Sequence, residues 1–314
     1  MIIVPTRVCN TDKCWYCWVL KKDFENIYFK NLNILDFKNK LELLTEKTND
    51  NEIRFFWWEP FLKFEIIKEI ISWLDNDKYN YTINTNLSLI KDDYLVFLKK
   101  YNIKLIISCN WDLYSHCLTR SLEKEKTILL YQNIEKIIKY WIRYQINIVT
   151  TPKIVDRLRK NLHFINRRLW WKIFNLLPVN YNWWTNEWLL EFKNQLSEIE
   201  KDIKNWDLNI HFINKDVNNK VSLFNSEIII DSDWKIYPNM VIIEKFFEVE
   251  KKKIQITDFN KTYTEIQKNI NNYDTETQII YENYINKVLN KKFEDIIEND
   301  NESSEIFSDF LSKI

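Results

Sequence analysis

The 314-residue chain contains no glycine, and this constrains its folding more than any motif in it. An average composition would supply roughly 22 glycines in a chain of this length. Glycine enters positive φ without steric cost, so tight turns and close backbone approaches normally depend on it. Alanine is absent as well, while Asn, Lys and Ile abound, as an extremely AT-rich gene would produce. Base composition thins glycine but does not remove the need for it. Several of the 14 tryptophans stand where that need is felt. Trp234 lies in Asp231-Ser232-Asp233-Trp234-Lys235 between two apolar runs, Trp111 lies between Asn110 and Asp112, and Trp57-Trp58, Trp170-Trp171 and Trp183-Trp184 are doubled. The expectation is that Trp here stands for UGA codons that the source organism reads as Gly. The alternative is a truly Trp-rich protein whose indoles fill a core or stack on a ligand.

Charge excludes one broad class of partner. With 45 Lys+Arg against 45 Asp+Glu the formal net charge is zero, so no basic excess is available to neutralise phosphates, and nucleic acid is not an expected partner. A chain that is 46% hydrophobic and 29% charged has a soluble, foldable composition. Its length allows two domains, although α/β barrels of this size often stay single. Apolar runs such as Phe55 to Trp58 and Met240 to Ile243 fall far short of the roughly 18 residues that span a bilayer. The start, Met1-Ile2-Ile3-Val4-Pro5-Thr6-Arg7, has no basic region followed by a long apolar segment and no cleavage site. No signal peptide and no membrane association are expected, which makes a cytoplasmic location the default.

Short apolar runs alternate with longer amphipathic segments. Strands are predicted at Ile2 to Val8, Ile53 to Phe56, Asn80 to Ile83, Ile103 to Ser108, Gln145 to Thr150 and Lys172 to Leu177. Helices are predicted between them, at Phe37 to Glu46, Phe61 to Leu74, Asp92 to Tyr101, Leu129 to Tyr140 and Ile154 to Arg167. Six strands interleaved with five helices give an α/β chain, and right-handed crossovers curl it into a partial (β/α)6 barrel of parallel strands. After Pro178 the pattern changes to a C-terminal α+β extension. It holds a charged helix near Glu187 to Asn205 and a hairpin of Glu227 to Asp231 and Lys235 to Ile243. The expected division is 1–180 for the partial barrel, 181–250 for the extension and 251–314 for a helical, acidic tail, partly disordered and mobile over 296–305.

Cys9, Cys14 and Cys17 form a C-x4-C-x2-C cluster directly after the first predicted strand, and Cys109 and Cys117 complete the five. Three thiols in a polar loop point to metal or iron–sulfur ligation rather than to a disulfide framework. Buried free thiols would be the bland alternative, but a loop holding Asn10, Asp12 and Lys13 gives them no reason to cluster. A structural zinc would need a fourth ligand from Cys109, Cys117, His116, His163 or His211, none at a finger-like spacing. The same spacing opens a plant-type [2Fe–2S] site, which also needs a later Cys. The third possibility is a [4Fe–4S] cluster on three thiolates, with one iron left open for a ligand.

Downstream segments select among these. Arg54-Phe55-Phe56-Trp57-Trp58-Glu59-Pro60 becomes Phe-Phe-Gly-Gly-Glu-Pro when the two tryptophans are read as glycines. With the three-Cys loop and the aromatic Tyr16 before its last Cys, the chain resembles the radical S-adenosylmethionine (SAM) enzyme superfamily. Thr82-Ile83-Asn84-Thr85-Asn86 resembles that family's third-strand segment, with Leu87 where Gly is usual. Ser108-Cys109-Asn110-Trp111-Asp112, with His116 and Arg120 following, resembles the fourth-strand end of peptide-modifying members. Asn147 to Pro152 resembles the fifth strand. Asp231 to Pro238 looks like the start of a SPASM-type extension, although Asn239 stands where a Cys would follow, and no Cys comes after Cys117. The usual motif is C-x3-C-x2-C, so one residue is inserted between Cys9 and Cys14.

The resemblance implies that Cys9, Cys14 and Cys17 hold a [4Fe–4S] cluster whose open iron chelates SAM. It implies that Tyr16, Trp57, Trp58, Glu59, Pro60, Ser108, Asn110 and Arg120 surround that cofactor. The implied reaction is reductive cleavage of SAM to methionine and a 5′-deoxyadenosyl radical, which abstracts hydrogen from a peptide, protein or small-molecule substrate. A flavodoxin- or ferredoxin-like donor would supply the electron. Without an auxiliary-cluster Cys, the extension would carry no second cluster. Each residue also has a plainer reading: Glu59 as a surface residue before a proline, Ser108 and Asn110 as strand-end caps, Arg120 as a solvated loop cation, Cys109 and Cys117 as spare barrel thiols. A different class of function, an electron carrier or a non-catalytic metal or peptide-binding module, would call for a fourth protein ligand or no SAM chemistry.

Overall fold

A computed structural model describes residues 1–11, 14, 16–17, 34–48, 51–56, 58–74, 77–110, 112–120, 124–168, 173–179, 184–216, 228–238, 247 and 249–314, with only the backbone of 292–298 and 300. Seven strands run parallel: β1 (Ile2–Ile3), β2 (Glu52–Phe55), β3 (Asn80–Thr85), β4 (Lys104–Ser108), β5 (Tyr144–Thr150), β6 (Ile173–Pro178) and β7 (His211–Phe212). On the other side of β1, β8 (Ile229–Ile230) also pairs in parallel, followed by antiparallel β9 (Lys235–Tyr237) and β10 (Thr257–Asp258). The ten make one sheet, ordered β10-β9-β8-β1-β2-β3-β4-β5-β6-β7. The fold is therefore α/β with a parallel sheet.

The crossovers carry α1 (Ile34–Thr48), α2 (Phe64–Trp73), α3 (Asp92–Lys100), α4 (Leu113–Thr119), α5 (Lys124–Lys139), α6 (Leu158–Arg168) and α7 (Asn186–Lys204). Short α8 (Ile213–Asp216) follows β7, and α9 (Tyr263–Asn271) and α10 (Thr275–Lys313) close the chain. Period-2 alternation along the strands separates two environments. Ile53 and Phe55, Tyr81 and Ile83, Leu105 and Ile107 point into a large core with Phe37, Leu41, Ile67, Ile71, Leu95 and Ile137 of the helices. The opposite face of β1 holds a small apolar group, Ile2, Val4 and Ile229 with Phe56 and Trp58. Farther along that face β3 and β5 present Asn84, Gln145 and Asn147, so the inside of the curved sheet is polar where its outside is apolar.

Several expected boundaries shift for identifiable reasons. The first strand, expected to reach Val8, leaves the ladder after Val4 donates its N–H to Ile230, because Pro5 has no N–H to continue it. The helices expected from Phe61 and Ile154 begin with 3-10 turns, Pro60–Lys63 and Pro152–Arg157, each with Pro in the first turn. The hairpin strand expected to reach Ile243 ends at Tyr237, before Pro238. Its continuation, with Asn239, lies outside the described residues. The acidic stretch 296–305 lies within α10. Phe307 packs on Phe192 of α7 and Phe310 on Phe212 of β7, at centroid distances of 6.5 and 5.7 Å, so apolar residues at helical spacing extend the helix through its acidic middle.

Among the described residues six non-glycine residues have positive φ: Trp58, Leu87, Asn102, Trp141, Trp206 and Trp234. Trp141 and Trp206 follow the C-caps of α5 and α7. In each case the next residue's N–H reaches back five positions, Ile142 to Ile137 and Asp207 to Asp202, while the Trp N–H reaches back three. This is the Schellman arrangement, whose left-handed residue is usually glycine. Asn102 does the same after α3, with Ile103 bonded to Leu98. Trp234 sits at the left-handed position of the three-residue hairpin turn between Asp231 and Lys235. Trp184 is different: its buried indole donates to the Val179 carbonyl at 2.9 Å and packs on Phe192.

Candidate functional site

The C-terminal ends of the parallel strands surround a cleft of about 280 Å³. In a parallel α/β array the strand-end loops gather there, and so do binding residues. Cys9, Cys14 and Cys17 line it from the loop after β1, together with Thr11 and Tyr16. Trp58 comes from the end of β2, Asn86 from β3, Ser108 from β4 and Arg120 from the C-cap of α4.

Hydrogen bonds tie the thiol loop to its neighbours. Val8 accepts the N–H of Glu59 at 3.3 Å, and Asn10 accepts from Asn86 Nδ2 at 2.8 Å and donates to Ser88 Oγ at 2.7 Å. Cys14 Sγ donates to the Arg120 carbonyl at 3.2 Å. Burial pushes the Cys9 thiol up, opposed by its hydrogen bonds with Thr11.

Glu59 is fully buried, not a surface residue. Its Oε1 accepts from Phe61 N–H at 3.1 Å and Thr85 Oγ1 at 2.8 Å, and its Oε2 accepts the Asn86 N–H at 2.8 Å. Burial pushes its carboxyl up to about 7 despite these three donors. It lies beneath the cleft and fixes the ends of β2 and β3 to each other. Leu87, at φ 61, turns the chain just after this contact, at the position where glycine was the expected residue. Pro60 is buried at the start of its 3-10 turn and does not line the cleft. Trp57 lies outside the described residues.

Asn110 takes a different place from the one expected of a cofactor contact. It is fully buried, and its amide is committed on every side. Nδ2 donates to Thr119 Oγ1 at 2.8 Å and to the Val149 carbonyl at 3.1 Å, while Oδ1 accepts Arg120 Nε at 3.0 Å and Val149 N–H at 3.3 Å. It therefore aims Arg120 rather than reaching into the cleft. The Arg120 guanidinium carbon stands 5.2 Å from the Tyr16 ring centroid, a cation–π contact. His116, also lining the cleft, accepts the Asn110 N–H on Nδ1 at 3.3 Å, which leaves the proton on Nε2. Burial, with the Arg120 charge adding to it, holds this imidazole down to about 3, so it is neutral.

Cys109 is buried in the helix-covered core and Cys117 faces Thr127 Oγ1 at 3.5 Å; neither lines the cleft. Among the described residues no group of three or more His, Cys, Asp and Glu is close enough to hold a metal ion, so the three loop thiols share the cleft without converging. The donor chemistry nonetheless fits an iron–sulfur cluster. The described lining offers three soft thiols, amides, hydroxyls and the cations Arg120 and Lys126, and no carboxylate of the kind hard cations need. Lys126 and the strand amides Asn84 and Asn147 escaped the sequence reading as single site residues. A polar residue at inward positions of otherwise apolar strands was the signal that marks the two amides.

The sequence model of the Radical SAM superfamily matches residues 3–165, just over half of the chain. MJ0907, an uncharacterized protein of Methanocaldococcus jannaschii, is 32% identical over 113 residues, which are 34% of this chain and 37% of that protein. The radical SAM cyclopropyl synthase TigE of Paramaledivibacter caminithermalis is 28% identical over 130 residues, 36% of this chain and 27% of that one. The matched region thus spans well under half the length of either relative. Among solved structures, anSMEcpe with bound AdoMet and the Kp18Cys peptide is similar at a TM-score of 0.65 and 16% identity, covering 85% of this chain and 79% of that one. Streptococcus suis SuiB bound to the precursor peptide SuiA gives 0.61 and 15%, covering 87% and 64%. At these identities the likeness is one of fold. No helix among the described residues is long and apolar enough to cross a membrane.

Proposed function

Because the chain belongs to the radical SAM superfamily, we propose that Cys9, Cys14 and Cys17 hold a [4Fe–4S] cluster and that SAM binds beside it in the same cleft. One observation carries the reading: the three thiols share a cleft with Tyr16, Trp58, Ser108 and Arg120, which the ends of β1, β2 and β4 and the C-cap of α4 bring together. Held by Cys9, Cys14 and Cys17, such a cluster would supply the electron for reductive cleavage of SAM, the chemistry by which this superfamily starts hydrogen abstraction from a substrate. Arg120, held by Asn110 and stacked on Tyr16, offers a fixed cation to the SAM carboxylate. Ser108 would offer SAM a hydroxyl at the end of β4, and Glu59 holds the Asn86 backbone at the end of β3, beside that site. Tyr16 and Phe56 line the cleft and would help to exclude water from the reacting atoms.

The substrate in this reading is a peptide or protein side chain, with a small metabolite second. What supports it is fold similarity to anSMEcpe and SuiB, each also solved with a peptide. The electron comes from a flavodoxin- or ferredoxin-like partner, in the cytoplasm. In this reading residues 1–180 are the radical SAM partial barrel, 181–250 a SPASM-like extension without an auxiliary cluster, and 251–314 a helical, partly disordered acidic tail.

The native residue at the UGA-type positions is glycine in this reading. Its support is the backbone: four of the six positive-φ residues among those described are Trp, and an indole at residue 58 would stand in the cleft that SAM must enter. Trp73 and Trp184 have no such conformation. Codons settle the matter, since UGG at 58, 141, 206 and 234 overturns it.

The functional test is anaerobic reconstitution with iron and sulfide, reduction, and assay of 5′-deoxyadenosine from SAM. The expected result is release that disappears with Cys9→Ala, Cys14→Ala or Cys17→Ala, and bound iron that survives Cys109→Ser and Cys117→Ser. A well-formed cluster without release, or iron lost with Cys109, would instead favour an iron–sulfur module without SAM chemistry.

A further inference from the structure

The entrance to the thiol loop is held from the far end of the chain. Arg7 lies two residues before Cys9 and is buried. Its Nε donates to Asp231 Oδ1 at 3.0 Å, and its Nη2 pairs with Asp231 Oδ2. The Asp231 side chain is fully shielded from solvent. Oδ1 also accepts the Ser232 N–H at 2.7 Å, and Oδ2 accepts the Lys251 ammonium at 2.8 Å. The contact follows from topology: β8, which leads into Asp231, pairs in parallel with β1, which leads into Arg7. Both side chains thus emerge at the same end of neighbouring strands. The carboxylate is itself rigidly mounted, because the Asp231 N–H donates to Lys235 and its carbonyl accepts the Trp234 N–H across the hairpin turn.

A buried carboxylate flanked by two cations is strongly coupled to its partners, since removing one charge leaves the others desolvated and uncompensated. The Arg7 guanidinium also lies 5.9 Å from the Trp58 ring. If residue 58 is glycine in the native protein that contact vanishes, whereas the bond to Asp231 does not depend on it.

We propose that Asp231 is a positioning residue of the cluster loop, so that the C-terminal hairpin acts on the active centre through a carboxylate in a chain that has no cysteine after Cys117 to act through a second cluster. The proposal rests on the reading that Cys9, Cys14 and Cys17 bind the cluster. It makes the hairpin and the loop one cooperative unit, so an event that opens the hairpin also loosens the ligands.

Native-state hydrogen exchange on the unsubstituted full chain, iron-free and reconstituted, tests this without any variant. Amides of 6–11 and of 229–237 are expected to open with the same free energy and the same denaturant slope. Asp231→Asn, which keeps the shape and removes the charge, is expected to speed exchange of 6–11 by about tenfold or more. It should also lower retained iron, change the EPR spectrum of the reduced cluster and raise KM for SAM more than it lowers kcat, with Asp231→Glu recovering part of each. Independent opening of 6–11 in the unsubstituted protein overturns the proposal, and so does Asp231→Asn with full iron and an unchanged spectrum. Should that variant fail to fold, the exchange on the unsubstituted chain decides. Coupled opening in a chain that never cleaves SAM would sink the radical chemistry and leave the clamp in place.

Discussion

The Glu59 carboxylate accepts the backbone N–H of Asn86 at 2.8 Å across 27 residues of chain, joining the end of β2 to the end of β3 directly beneath the thiol loop. Asn86 passes the constraint on, its side-chain amide donating to Asn10 in that loop at 2.8 Å. The carboxylate accepts three hydrogen bonds and has no solvent contact.

Glu59→Gln therefore places an NH2 group against a donor, whichever way the amide turns. An unsatisfied buried group costs about 1–3 kcal/mol. The expected outcome is a lower unfolding midpoint in urea together with much slower 5′-deoxyadenosine release; an unchanged midpoint would contradict the role assigned to Glu59.

The same residue sets a pH dependence. Its folded-state pKa, about 7, lies above the ordinary 4.5, so the folded state holds the proton more tightly than the unfolded one. The stability this contributes is fully present below about pH 4.5 and is lost as pH rises through 7. Between pH 5 and pH 8 this contribution falls by about 2.5 kcal/mol, while His116, held down to about 3 in the folded protein, gains about 2 kcal/mol over the same interval. The loss of urea-unfolding free energy from pH 5 to pH 8 should therefore be about 2.5 kcal/mol larger in the unsubstituted protein than in Glu59→Gln; the same pH dependence in both would contradict the assignment.

Trp141 and Trp206 are each 85% exposed at positive φ, so little packing is lost when either indole is removed. A left-handed conformation costs a non-glycine residue about 1–2 kcal/mol. Trp141→Gly and Trp206→Gly should each raise the unfolding free energy by about 1 kcal/mol, whereas Asn102→Gly, at a position Asn tolerates, should change it by much less. Destabilisation by both Trp changes would point to genuine tryptophans.

Asn110 aims Arg120 from a fully buried position. Asn110→Ala should lower stability by about 1–3 kcal/mol by stranding the Val149 groups. It should also raise KM for SAM while bound iron stays constant, and Arg120→Met should raise KM with a smaller loss of stability. Titrating SAM against reconstituted protein measures this; an unchanged KM in both variants would remove Arg120 from the cofactor site.

Order and type of the parallel strands were legible from alternation, because an apolar run bounded by polar turns has few other ways to bury itself. The thiol loop and the Glu59 segment were legible because their residues are neighbours in sequence. Shared surroundings were not: Glu59 and Asn110 both read as residues around the cofactor, until Thr85 and Asn86 are seen to enclose the carboxylate and Val149 to take the amide. By itself the sequence determined local chemistry: which residues carry thiols, where strands end, and which positions lack the glycine they need. Tertiary structure alone decided which of those groups face one another. The pairing of β8 with β1 that brings Asp231 to Arg7, 224 residues away, depends on long-range strand order, and no local periodicity encodes that.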